Sequence, residues 1–261
     1  FSSDLTIAGG TGLHLNASST QSGVGTTVTA GPVGVGRLVL NSGALLLSGA
    51  SANAIANAVL VKGDLTFGGF NNLALNGVTT LSSDSSHALN VVVPTVALTL
   101  GGVVTGAADL AKTGLGTLVL ANVLNDYSGR TIVNGGVLSV PTLRNGGLNS
   151  SVGASSANAA NLVLDGGNLL YTGVTATTDR LFTVGAAGGV IDVSTAVTAD
   201  TLTFASVGAV AYSGTGARTL VLTGANTGVS VFKPIIGDAG ASPVSLAKGG
   251  AGSWRLDAAH T

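Results

Sequence analysis

Internal repetition constrains this chain most. Four stretches share Leu-Val-Leu followed within a few residues by Asn, Asp or Gly: GRLVLNSGALLLSG from Gly36, GTLVLANVLNDYSGRTIVNGGVLSV from Gly116, NLVLDGGNLLYTG from Asn161 and RTLVLTGANTG from Arg218. Each reads as a short strand entering a tight turn. One such unit cannot bury its apolar face alone, so units recurring along a chain stack and share a core. In TLVL and TIVNGGVLSV the apolar residues alternate, which predicts Leu118 with Leu120, and Ile132 with Val137, pointing inward. Gly135-Gly136 and Gly166-Gly167 supply the positive backbone angles of tight corners. Coils of roughly 20 to 25 residues predict about ten to thirteen rungs in a rod about 50 to 60 Å long. The fold expected over residues 1–261 is a single all-β solenoid.

Composition supports strands over helices. The chain of 261 residues has 41 Gly, no Met and no Glu, and is 45% hydrophobic. Those are strand and turn residues, and the usual builders of helix surfaces are scarce. Only 8% of residues are charged and the net charge is -1, which argues against nucleic acid and anionic lipid as partners. Zero cysteine excludes disulfides, thiol catalysis and cysteine-bound metal. The longest uncharged apolar stretch, VVVPTVALTLGGVVTGAA from Val91, contains Pro94 and Gly101-Gly102, so successive strands are expected there instead of a membrane span. No basic, then apolar leader stands at the N-terminus, which reads as a mature product or an excerpt.

LAKTGLGTLVL from Leu110, YSGRTIVNGGVLSV from Tyr127 and LAKGGAGSWRL from Leu246 resemble the autotransporter-associated β-strand repeat of bacterial surface proteins. That pattern runs K-x-G-x-G-T-L-x-L and then N-T-Y-S-G-G-T-T-V-N-G-G-T-L. The match covers residues 109 to 140 and 245 to 256. The resemblance implies a right-handed parallel β-helix, exported to the cell surface as the passenger of an outer-membrane protein.

No catalytic or metal site assembles from local spacing, and no cofactor is expected. His14, His87 and His260 lack a second ligand at i+2 or i+4, and read as solvent-facing or loop residues. The pairs Asp64 with Asp84 and Asp179 with Asp200 lie about one coil apart, a spacing that polysaccharide-cleaving enzymes on such a fold use. Their neighbours are turn residues, however, so these carboxylates are expected to close turns on their own backbone. Lys112 and Lys248, at equivalent repeat positions, are expected to solvate corners or pair with Asp109 and Asp257. The strings GGTG at Gly9 and GAAGG at Gly185 lack the Lys-Ser or Lys-Thr of a phosphate loop and read as corners. Trp254, the lone tryptophan, either packs at the end of a rung or exposes its ring to a partner.

Three function classes follow. The leading one is a structural or adhesive extracellular rod. A carbohydrate-active enzyme should show converging Asp and Arg, and an ice-binding or glycan-binding face should show a Thr ladder, suggested by TTVT at Thr26 and TLTF at Thr201. The ends favour the rod. Written head to tail, LDAAHT and FSSDLTIAGG place Phe1 where the repeat has its aromatic, Ser2 at the following Ser, and Gly9-Gly10 at the Gly pair. Neither end reads as a polar cap. The expectation is stacking end to end, into a filament, sheath or stalk, through Phe1, Ser2, Asp4, Leu5, Ile7, Trp254, Leu256 and Thr261. The partners expected are further copies of the chain and host or matrix glycans. The runner-up is a monomeric passenger fragment.

Overall fold

The computed structural model describes residues 1–22, 27–83 and 86–261. Among these are twenty-nine short strands and one turn of 3-10 helix, Ala159–Asn161. The strands lie on three faces that the chain visits in turn. Sheet 1 stacks Leu5–Ile7, Leu38–Leu40, Val59–Val61, Thr79–Leu81 and Val104–Gly106. Sheet 2 runs through nine strands from Gly12–Leu15 to Ala211–Tyr212, and sheet 3 through nine from Asn53–Ile55 to Val244–Lys248. After Val104–Gly106 the first face is held by separate backbone bonds, Asp126 and Ser128 N–H donating to the Val104 and Gly106 carbonyls, and Ala154 N–H to that of Tyr127. Regular pairing returns there with Ala176–Thr178, Leu202–Phe204, Val229–Phe232 and Ser253–Leu256. All pairing on the three faces is parallel, and the chain is an all-β solenoid of about nine turns. That is fewer than the ten to thirteen expected, because two coils carry excursions. One holds an antiparallel pair, Thr20–Gln21 with Val28–Ala30. The other lengthens the step from Thr131 to its register partner Leu162. Nine strands at about 4.8 Å span about 40 Å.

Stacking puts like side chains above one another. On sheet 3, Leu73, Leu98, Leu118, Leu138 and Leu169 follow in register, all buried. Phe182, Phe204 and Phe232 pack edge to face, or tilted, with ring centres 5.7 to 6.1 Å apart. Leu118 and Leu120 point inward as expected. Ile132 and Val137 do not: Thr131, Val133 and Leu138 take the inward places. A buried hydroxyl chain makes Thr131 acceptable there. Its Oγ1 donates to the Val152 carbonyl at 3.2 Å and accepts from the Tyr127 hydroxyl at 2.6 Å. The Val91 stretch forms the strands Ala97–Leu100 and Val104–Gly106, and no helix among the described residues is long and apolar enough to cross a membrane.

Corners depend on glycine where the next coil presses close. Gly153 has φ +73°, and a Cβ there would sit 2.4 Å from the Tyr127 carbonyl oxygen. Gly34 repeats the arrangement, with φ +66° and Phe1 O at 2.5 Å. Leu-Val-Leu is not tied to one face: Leu38–Leu40 lies in sheet 1, Leu162–Leu164 in sheet 2 and Leu220–Leu222 in sheet 3. The repeat therefore encodes a strand and its corner, and shifts phase around the coil.

Candidate functional site

Four carboxylates hold neighbouring coils together. Asp64 Oδ1 accepts from Ala88 N–H at 2.8 Å, Asp165 Oδ1 from Ala187 N–H at 2.8 Å and Asp179 Oδ1 from Gly146 N–H at 2.8 Å. Asp200 Oδ1 accepts from the N–H and the hydroxyl of Thr175, each at 2.9 Å. Their bonds reach across coils instead of closing local turns: Ala88 and Thr175 stand at strand starts, and Ala187 and Gly146 in turns. Asp84 lies outside the described residues. No group of three or more His, Cys, Asp or Glu side chains that could hold a metal occurs among the described residues.

Lys112 overturns its expected place. It is fully buried, in the inward register of sheet 2 between Leu89 and Val133. Its ammonium donates to the carbonyls of Thr113 at 2.7 Å, Gly114 at 2.8 Å and, one coil on, Gly135 at 3.1 Å. Burial pushes its pKa down to about 8. Asp109 instead pairs with Arg130 at 2.7 Å, and Asp257 with Arg255 at 2.7 Å. Lys248 donates to the same two local carbonyls, Gly249 and Gly250, but lies on sheet 3 and is exposed.

Among the described residues two further cations stand inside without a carboxylate. Arg180, 1% exposed, donates to the carbonyls of Arg144 at 2.9 Å and Gly153 at 3.1 Å and to Ser155 Oγ at 3.1 Å, binding the excursion between sheets 3 and 2 to the core. Arg218 donates to the carbonyls of Val184, Ser213 and Gly214 at 3.0, 2.7 and 3.0 Å, with its guanidinium 5.6 Å from the Tyr212 ring centre. Sequence reasoning missed both, although Arg218 shares the parity of Leu220 and Leu222, and Arg180 that of Phe182. His87 also corrects its expectation: it is buried, with Nε2 2.8 Å from the Ser82 carbonyl. His14 and His260 are exposed.

Among the described residues the threonines form no continuous outward ladder. Thr177 and Thr203 pair in register, but Val231 and Arg255 follow. Of TTVT, Thr26 lies outside the described residues, and Val28 and Thr29 belong to the antiparallel excursion.

The eight predicted end residues divide between opposite ends of the solenoid. Leu5–Ile7 and Gly12–Leu15 leave one strand edge open, and Val244–Lys248 and Ser253–Leu256 leave the other. At the first end Phe1 is 70% exposed and Ser2 exposed, while Ile7 is buried. Asp4 pairs with Arg37 at 2.7 Å, which holds its carboxyl below the usual range. Leu5 packs partly on the core. At the other end Trp254 packs partly on the core and donates Nε1–H to the Thr223 carbonyl at 2.9 Å, so it stacks on the last coil. Leu256 is 44% exposed, and Thr261 N–H donates to the Ile236 carbonyl at 3.0 Å. A groove of about 490 Å³ lies beside Phe70, which is 92% exposed, with His14, Asn16 and Ser48 along it.

Parallel faces, glycine corners and carboxylates engaged by backbone define a repeat-built β-solenoid. The chain carries repeats of the autotransporter-associated type. The passenger-associated-transport-repeat matches residues 110–140 and 214–229. The first agrees with the resemblance read from the sequence. The second falls on the Arg218 repeat and not on residues 245 to 256. Adhesin BmaC autotransporter of Brucella suis biovar 1 (strain 1330) is 37% identical over 225 residues, 85% of this chain and 6% of that protein. The chain thus spans a small fraction of that relative's length. No solved structure gave a significant match.

Proposed function

We propose that this chain is an extracellular adhesin-type passenger segment, a non-catalytic rod that continues by adding coils, as a filament, sheath or stalk. The observation that carries this reading is that FSSDLTIAGG folds as YSGRTIVNGG does, the Phe1 carbonyl accepting from Val35 N–H at 3.0 Å as that of Tyr127 does from Ala154 N–H at 2.9 Å, while LAKGGAG from Leu246 is the half-repeat that such a segment follows. Similarity to an autotransporter adhesin supports the surface placement. The backbone bonds of Asp64, Asp165, Asp179 and Asp200 support a structural role for the carboxylates. A monomeric passenger fragment fits the same fold and similarity.

Adhesion itself is assigned to the Phe70 groove, where an exposed ring beside His14, Asn16 and Ser48 offers a stacking face and hydrogen-bonding edges for a sugar of host or matrix glycans. Purified chain is tested on immobilised host and matrix glycans, with Phe70→Ala beside it. Retention lost in F70A supports the assignment. Equal retention, or none by either form, overturns it. Turnover of a polysaccharide abolished by Asp179→Asn or Asp200→Asn overturns the non-catalytic reading.

A further inference from the structure

We infer that a second copy of this sequence docks on the C-terminal edge rotated by one face, so that Leu5–Ile7 of the next copy pairs with Val244–Lys248 of the preceding one. This rests on the reading that the solenoid continues by adding coils. Three observations set the register.

First, Phe1 occupies a corner built like that of Tyr127. The Phe1 carbonyl accepts from Val35 N–H at 3.0 Å as that of Tyr127 does from Ala154 N–H at 2.9 Å. A positive-φ glycine, Gly34 or Gly153, closes over each ring. FSSDLTIAGG therefore follows YSGRTIVNGG in structure as well as in sequence, with Gly9-Gly10 at the place of Gly135-Gly136, and Gly10 and Gly136 both at positive φ.

Second, YSGRTIVNGG lays its strand Thr131–Val133 on Leu110–Thr113, with Leu110 opposite Thr131, Ala111 opposite Ile132 and Lys112 opposite Val133. The C-terminal LAK occupies sheet 3, one face further round the coil than LAK at Leu110. Carried onto it, this register sets Leu246 opposite Leu5, Ala247 opposite Thr6 and Lys248 opposite Ile7 of the next copy.

Third, Lys248 repeats the local bonds of Lys112. Lys112 has two local carbonyls and a third, Gly135, in the following coil. Among the described residues Lys248 has the local pair, Gly249 and Gly250. Gly9 of the next copy stands at the place of Gly135, so its carbonyl completes the set. Docking takes Lys248 from the exposed surface into the position in which Lys112 is buried.

The test uses two copies of residues 1–261 fused from Thr261 to Phe1, this sequence having no cysteine. Ala247→Cys in the first copy and Thr6→Cys in the second place two outward side chains on adjacent strands, within the reach of a disulfide if the register holds. A second fusion carries Arg255→Cys and Thr6→Cys, the pair that an unrotated stack brings together. Free thiols are titrated under mild oxidation, and circular dichroism checks the β content of both fusions. The expected result is loss of both thiols in the 247/6 fusion and their retention in the 255/6 fusion. A bond only in the 255/6 fusion overturns the rotation and leaves the continuing solenoid standing. No bond in either overturns both.

Discussion

Lys112→Met replaces an inward ammonium by an apolar chain of similar length, and the structure fixes what is lost. The carbonyls of Thr113, Gly114 and Gly135 lose their shared donor inside a core lined by Leu89 and Val133. At about 1 to 3 kcal/mol for each buried acceptor left unpaired, the gross loss is about 6 kcal/mol. Relief from burying the charge opposes it. Lowering the ammonium from 10.5 to about 8 corresponds to about 3 kcal/mol at neutral pH. K112M is therefore expected to be less stable by about 3 kcal/mol at pH 7. The pH dependence separates the two contributions. Between about 8 and 10.5 the unfolded chain holds a proton at this lysine that the folded chain has released, so stability rises with pH across that window. The methionine variant lacks this gain, so its deficit should widen between pH 7 and 9.5. Tyrosines whose pKa burial raises, such as Tyr171 at about 12, are common to both proteins and cancel in the difference. Urea unfolding followed by circular dichroism at both pH values measures it. Equal midpoints at pH 7, with a gap that stays constant to pH 9.5, refute the reasoning.

Asn125→Ala is expected to cost about 1 to 3 kcal/mol, because its buried Oδ1 accepts from Val104 N–H at 2.8 Å and its Nδ2 donates to the Ser151 carbonyl at 3.0 Å. Faster amide exchange at Val104 locates the effect, and unchanged exchange there contradicts it. Gly153→Ala forces a left-handed alanine against the Tyr127 carbonyl, at about 2 kcal/mol or more. Earlier proteolysis between residues 141 and 158 than in the native chain is expected, and an unchanged cleavage pattern counts against the corner argument. Arg37→Ala removes an exposed ion pair to Asp4 and should leave the urea midpoint in place, since water screens such pairs. A clear drop would show that this pair anchors the first coil.

Recurrent Leu-Val-Leu, glycine corners and the absence of helix-building residues determined by themselves that this chain is a stack of short strands. Those signals are local, and each strand with its corner is satisfied within a few residues. The same holds for Leu118 and Leu120, whose alternation needs no partner to be read. Parity also marked Lys112, Arg180 and Arg218 as inward, since each stands two residues from a buried apolar residue. Charged side chains are seldom buried without a charged partner, so parity alone does not predict these places. Only the tertiary structure supplied the reason such burial is tolerated: each coil presents corner carbonyls to its neighbour, and a cation reaching two or three of them is paired without any carboxylate. Tertiary structure also decided the face on which each repeat falls, the coil count and the use of Asp179 and Asp200 as bridges between coils. Those depend on how far the excursions at Thr20–Ala30 and residues 141–158 carry the chain before it returns to register, which only stacking against the preceding coil can fix.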